Sequence, residues 1–370
     1  MKSTIYFSLI YSICSCIDPV PPEFDYQPDL IVIDAMASTI PGTTYVNVKK
    51  TIFEYGRYSS RFISGCNVKI INSDTQEEVY FVETESNYFV SRDFKLNPGS
   101  RWEMEVLLPN GKRYRSESEL VPNEVPVDKI HERFTEELIY DEALGKYIAG
   151  HEVSIDFQEP KNEENFYYFQ YRGFEKELYC KRCDYGIYRS GECVSQINNP
   201  LAKDYYTYLC DQTCWKINYN EEISLFDDEF TNGKAIKNLQ VGRVPFYSNS
   251  DILVEILQLN ITRKAFKYFK TIKDIVDNNS GFNAPLPSAL IGNFYNVNDS
   301  EDPVLGRFTA AAGKSKSILI KRGGINAIFE AEYQYPQPEL LGDPLPNPIT
   351  YSAPCTEGRY RTAIKPLEWD

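Results

Sequence analysis

Cysteine is the residue type here whose number and spacing point to chemistry. Of nine cysteines, five fall within 35 positions as Cys180-x-x-Cys183, Cys193 and Cys210-x-x-x-Cys214. Three chemistries suit such a cluster. Four thiolates can close a tetrahedral zinc site. A Cys-x-x-Cys pair flanked by Lys181 and Arg182 can have a lowered thiol pKa and exchange disulfides. Cysteines can also staple a polar excursion that has little core of its own. The surrounding residues favour staples. Redox motifs use a βαβ setting and a helix N-terminus, and the sequence around Cys180 predicts neither. Cys180, Cys183, Cys193, Cys210, Cys214 and Cys355 are therefore disulfide candidates, with zinc the lesser alternative and no other metal or cofactor expected. Six cysteines allow 15 pairings, so the connectivity stays open. Cys66 stands alone in an N-terminal strand and is read as the free thiol.

The two remaining cysteines, Cys14 and Cys16, end the N-terminal segment. Lys2 gives a positive start, and Ile5 to Ile13 is an apolar run too short to span a bilayer. Ile13 and Ser15 stand three and one residues before Cys16, the pattern cut by lipoprotein signal peptidase. Residues 1–15 read as a signal peptide and Cys16 as the lipid-bearing residue. Several acyl chains are needed for stable anchoring, and a diacylglycerol with a further chain supplies them. Residues 16–29, rich in proline and acids, read as a stiff tether. The acidic residues just after Cys16 resemble the signal that sends some lipoproteins to the cell surface, which implies an outer-membrane location, lipid-anchored and facing the cell surface.

Catalytic patterns are missing. The two histidines, His131 and His151, fit no metal spacing. No G-x-S-x-G elbow or phosphate loop occurs. Asp227-Asp228-Glu229 lacks the ligand spacing of a calcium loop. Fifty-three acidic residues make any chosen glycosidase pair uninformative. The formal charge of −14 argues against nucleic acid or anionic lipid as a partner.

The elements that must position these residues are mainly strands. With 28 Tyr and 21 Phe, the composition suits β-structure. Residues 30–121 contain about seven short alternating runs, and Asn110-Gly111 between two of them is a hairpin signal. An immunoglobulin-like β-sandwich is expected there. Val121 to Pro126 reads as a linker. A larger β-rich domain follows over 127–334, with a Cys-rich insertion at 178–215. Thr262 caps one helix over 262–277, whose Phe266, Phe269, Ile272, Ile275 and Val276 recur at helical spacing. Leu305 to Ala311 and Ser317 to Lys321 read as two strands. Residues 335–370 form an extended, proline-rich tail.

In order along the chain, several motifs resemble one family. They are Cys16-Ile-Asp-Pro19, Leu30-Ile-Val-Ile-Asp34, Pro109-Asn-Gly-Lys-Arg-Tyr-Arg-Ser116, Ala265-Phe-Lys-Tyr-Phe-Lys270, Phe282-Asn-Ala-Pro285, Ile291-Gly-Asn-Phe-Tyr-Asn-Val297 and Val304-Leu-Gly-Arg-Phe-Thr-Ala-Ala311. A closing stretch of Cys355, Arg359, Arg361, Thr362, Pro366 and Trp369 is similar as well. The family is the Bacteroidota lipoproteins grouped as domain of unknown function 4249. That resemblance implies an accessory of a TonB-dependent, SusC-like outer-membrane receptor, and it carries no catalytic residues.

The expectation is thus a non-catalytic lipoprotein that captures a ligand or scaffolds a complex beside an outer-membrane β-barrel. A glycan or peptide could stack on its aromatic loops. Two rivals stand beside it. One is a structural subunit of another outer-membrane barrel or of an export or assembly machinery. The other is a surface hydrolase with an unrecognised carboxylate site.

Overall fold

A computed structural model describes residues 30–54, 57–84, 87–142, 144–179, 186–189, 191–195, 212–220, 222–278, 290–325 and 354–369. The signal peptide, Cys16, the tether, Cys180, Cys183, Cys210, Phe282 to Pro285 and most of the tail lie outside the described residues.

The first part supplies β1 (Ile31–Ser38), β2 (Tyr45–Glu54), β3 (Arg57–Phe62), β4 (Asn67–Asn72), β5 (Glu78–Tyr80), β6 (Val82–Glu83), β7 (Tyr88–Phe89), β8 (Arg101–Leu107), β9 (Arg113–Ser116) and β10 (Glu119–Leu120). Then come β11 (Lys129–Asp141), β12 (Lys146–Gln158), β13 (Phe166–Tyr179), β14 (Gly186–Arg189), β15 (Glu192–Ser195), β16 (Gln212–Tyr219), β17 (Ser224–Asp227), β18 (Ala235–Pro245) and β19 (Ile252–Asn260). Helix α1 (Arg263–Asn278) leads to β20 (Phe294–Asn296), β21 (Val304–Ile320) and β22 (Arg361–Thr362).

One sheet of eleven strands runs through the molecule in the order β22-β16-β13-β19-β21-β1-β2-β7-β6, with β3 on β2 and β17 on β13. A six-stranded sheet, β20-β9-β8-β4-β5 with β10 on β8, faces part of it. Between them lies a core of Ile33, Ala35, Val46, Val48, Met104, Tyr114 and Phe308. The fold is mainly β, as the alternating runs predict. The immunoglobulin-like arrangement within 30–121 is not confirmed. The sandwich is completed by later strands: β21 pairs in parallel with β1, and β20 pairs with β9. Alternation specifies which face of a strand is buried, not which distant strand covers it.

Three local readings differ from the structure. The segment read as a linker is docked, since Val121 and Val125 are buried and the carbonyls of Asn123 and Val125 accept bonds from Asn260 and Gln258 at 3.1 Å each. The two strands expected between Leu305 and Lys321 are one, β21. Its polar middle marks where the strand leaves the core, and Gly313 lets it pass close to Gln258, whose carbonyl would lie 2.5 Å from an added Cβ. The Asn110-Gly111 hairpin forms, but only Gly111 has positive φ (88°), and its N–H donates to the Leu108 carbonyl. Proline 109 cannot adopt positive φ, so the glycine alone turns the chain left-handed.

The helix begins where its cap predicts. The Thr262 hydroxyl accepts the N–H of Ala265 at 3.3 Å. Phe266 and Phe269 enter a core with Met36, Tyr45, Tyr168, Leu257 and Leu259. Tyr168 and Phe269 stack with centroids 4.6 Å apart. Burial of each phenylalanine stabilises the helix by about 2 kcal/mol.

Candidate functional site

Beside α1 the large sheet carries a polar patch. Along β1, Ile33, Ala35 and Ala37 enter the sandwich core, so period-two alternation turns Asp34 and Met36 to the opposite face. Met36 packs under the helix, whereas Asp34 remains exposed. On β2, Tyr45 presents its phenol to that carboxylate and donates to Oδ2 at 3.4 Å.

Protein crowds Asp34 even though solvent reaches it. Desolvation raises the pKa of its carboxyl, against Arg359, the Tyr45 hydroxyl, Lys49 and Asn47, which favour the ionised form. Burial lifts Tyr168 and Tyr268 to about 12, so both phenols stay protonated and able to donate.

Arg359 arrives from the far end of the sequence. Its guanidinium carbon lies 3.2 Å from the ring centre of Tyr45 and 4.2 Å from that of Tyr219. Tyr360 stands at 5.7 Å. Such stacking holds a guanidinium by its faces and leaves its edge of N–H donors free. The side chain is only 8% exposed, and Nε has no hydrogen-bond partner. Among the described residues, no carboxylate lies within ion-pair distance of it.

Several contacts hold the segment that delivers Arg359. A disulfide joins Cys214 to Cys355 with Cα atoms 5.6 Å apart. Arg92 bonds Glu357 at 2.9 Å and the Gly358 carbonyl at 3.0 Å. The Tyr219 hydroxyl donates to the Arg359 carbonyl at 3.1 Å. β22 pairs with β16, and Trp369 meets Trp215 edge-on at 4.4 Å. These anchors fix the arginine without using its side-chain donors.

A contrasting cavity of about 490 Å³ opens between α1 and the strands β17 and β18. Its charges are already matched: Arg243 Nε bonds Glu222 at 2.8 Å, and Lys273 bonds Asp277 at 2.7 Å.

The other residues singled out in the sequence are scattered. Cys193 is disulfide-bonded and sits on the exposed strand β15. Cys66 is a free thiol whose pKa is raised by burial. Among the described residues, no group of three or more potential ligands could hold a metal. His151 is buried in β12 and shares a 2.6 Å bond with Glu132, while His131 lies 3.3 Å from Asp156. Asp228 is buried and accepts from Asn232 at 3.2 Å within its own turn. No described helix is long and apolar enough to cross a membrane.

Two comparisons bear on identity. The family described as Domain of unknown function (DUF4249) matches residues 17–317. The chain belongs to this family. No curated protein matches it. Asp34, Tyr45, Tyr168, Cys214 and Tyr268 lie inside the matched span, while Cys355 and Arg359 lie beyond it. The matched residues thus end before the segment that brings Arg359 to the polar patch.

No catalytic or metal-binding motif marks this patch in the sequence. Asp34 did leave a signal, being the one charge in the otherwise apolar Ile31-Val-Ile-Asp-Ala-Met-Ala. Arg359 stands in the family-like closing stretch, but nothing there points to this patch, because only the fold brings it 3.2 Å from the ring centre of a tyrosine more than three hundred positions earlier.

Proposed function

We propose that the protein is a non-catalytic binding lipoprotein, anchored through Cys16 in the outer membrane and displayed at the cell surface. In this reading it works beside an outer-membrane β-barrel of the TonB-dependent, SusC-like kind, capturing a ligand or holding the complex together. The observation that carries the binding role is the Asp34–Arg359 patch. An open carboxylate and an unpaired guanidinium flank one phenol on a braced scaffold. Rigid elements bearing unsatisfied polar groups suit recognition.

Two further points support the reading. Disulfides persist in oxidising compartments, which agrees with export. The groups that perturb Asp34 are cations, a phenol and an amide, with no second carboxylate among them. Glycoside hydrolysis by the usual mechanism requires such a pair, so a hydrolase gains no support from this patch.

The test is isolation from the native membrane in mild detergent through a C-terminal tag, followed by mass spectrometry of what co-purifies. A stoichiometric TonB-dependent receptor or other barrel is expected. Recovery of the lipoprotein alone would sink the receptor-accessory role.

A further inference from the structure

The charges of the Asp34–Arg359 patch are opposite in sign, yet they do not satisfy each other. Tyr45 stands between them, with its hydroxyl on Asp34 and its ring face under Arg359. No ion pair links Asp34 to Arg359, and Nε of Arg359 is buried without a partner. A buried guanidinium whose edge makes no charge-assisted bond is costly to keep unless a ligand completes it. Tyr168 from β13 and Tyr268 from α1 lie near enough for the charge of Asp34 to act on their phenols; Tyr168 is buried against Phe269, while Tyr268 is only partly buried.

We infer that this patch binds a compact zwitterion, a free α-amino acid. The ligand's carboxylate takes the open edge of Arg359, its ammonium takes Asp34, and its side chain rests toward the partly buried Tyr268. This deepens the binding role proposed above and rests on it. Three features select the class. A planar fork stacked on rings suits a carboxylate, which accepts two parallel N–H bonds. Asp34 is open to solvent, its bond from Tyr45 is long, and no cation pairs with it directly among the described residues, so it can accept an ammonium. The two groups flank one phenol, which fits charges separated by a single α-carbon better than the distant ends of a long peptide. A ligand with one charge would leave the opposite group of the patch unmatched.

The test uses the full mature chain. The twenty standard amino acids are screened at millimolar concentration by thermal shift, and hits are measured by isothermal titration calorimetry. The best binder is then compared with its N-acetyl and methyl-ester derivatives. Each charge-assisted bond is worth about 1.5–3 kcal/mol, so each blocked derivative should bind about 10- to 100-fold more weakly. Asp34→Asn should erase the difference between free and N-acetylated ligand. Arg359→Gln should erase the difference between free acid and ester. Should Arg359→Gln fail to fold, Arg359→Lys keeps the charge on the rings while losing the fork, and it should still reduce ester discrimination. Stabilisation by none of the twenty overturns the inference. So does equal binding of the free and N-acetylated forms, which would make the patch a simple anion site. Receptor co-purification is measured separately with the same variants. Loss of amino-acid binding with the receptor retained removes this inference alone, whereas absence of the receptor from the wild-type preparation counts against the accessory reading.

Discussion

Arg307 and Arg359 are both buried arginines serving the same large sheet, and they are used in opposite ways. Arg307 on β21 pairs with Glu119, each side chain 4% exposed. Glu119 also accepts from Asn293 at 3.3 Å and from the helix-capping hydroxyl of Thr262 at 2.9 Å. One carboxylate thereby ties β10, β21, the approach to β20 and the start of α1 together. Arg359 has no such partner and is held by aromatic faces alone. Yet Arg307 stands directly beside Asp34 in the β1–β21 register. The difference teaches how to read buried charge in this fold. Both leave Nε without a partner, so the distinction is the carboxylate: a guanidinium paired with one locks elements together, while one held by its faces is kept for something else.

The comparison breaks most visibly at Glu119. Glu119→Ala leaves Arg307 buried and uncompensated, and a loss of about 3–5 kcal/mol is expected from the urea midpoint. Replacing both partners, Glu119→Leu with Arg307→Met, should recover much of that loss, because matched apolar groups need no partner. A double variant as unstable as the single one would show that the network does more than cancel a charge.

Removing the brace comes next. Cys355→Ser opens a disulfide spanning 141 residues, and a loss of about 2–5 kcal/mol is expected. Melting of oxidised wild type against the variant reads it. Amino-acid binding should fall in the same variant, because the disulfide helps to hold Arg359 on its rings.

Arg359→Gln should change stability by less than about 2 kcal/mol, the scale of desolvated cation–π contacts, since an unpaired guanidinium is removed with them. A loss as large as that of Glu119→Ala would mark Arg359 as a structural strut.

His151 gives a pH-dependent comparison. Burial lowers its pKa below the ordinary imidazole value, with nearby Arg322 acting in the same direction and Glu132 opposing. Phe134 and Phe246 pack on its ring. The unfolded chain takes up this proton first, near pH 6.5. Its contribution is therefore fully present above that pH and is lost as pH falls toward the depressed folded value. Melting temperature should drop between pH 7.5 and pH 5, and His151→Phe should flatten that part of the profile. Parallel profiles for the two proteins would rule out His151 as the cause.

The smallest effect belongs to the exposed pair Arg133–Glu152, where Arg133 is 76% exposed. Arg133→Ala should cost no more than about 1 kcal/mol, and less in high salt.

The sequence by itself determined much of the local structure. Alternation in Tyr45 to Val48 and in Trp102 to Leu107 marked strands with one buried face. Thr262 and its spaced aromatics marked the helix, because cap and period are local properties. A lone aspartate within an apolar strand was legible too, though not its role. Only the tertiary structure decided that β21 would join β1 in parallel and extend one sheet across both segments. It likewise decided that Cys355 would find Cys214 and that Arg359 would settle on Tyr45. These contacts join residues far apart in the chain, and alternation carries no address for a distant partner. Their geometry is set by which faces the whole chain must bury, so it exists only once the chain has folded.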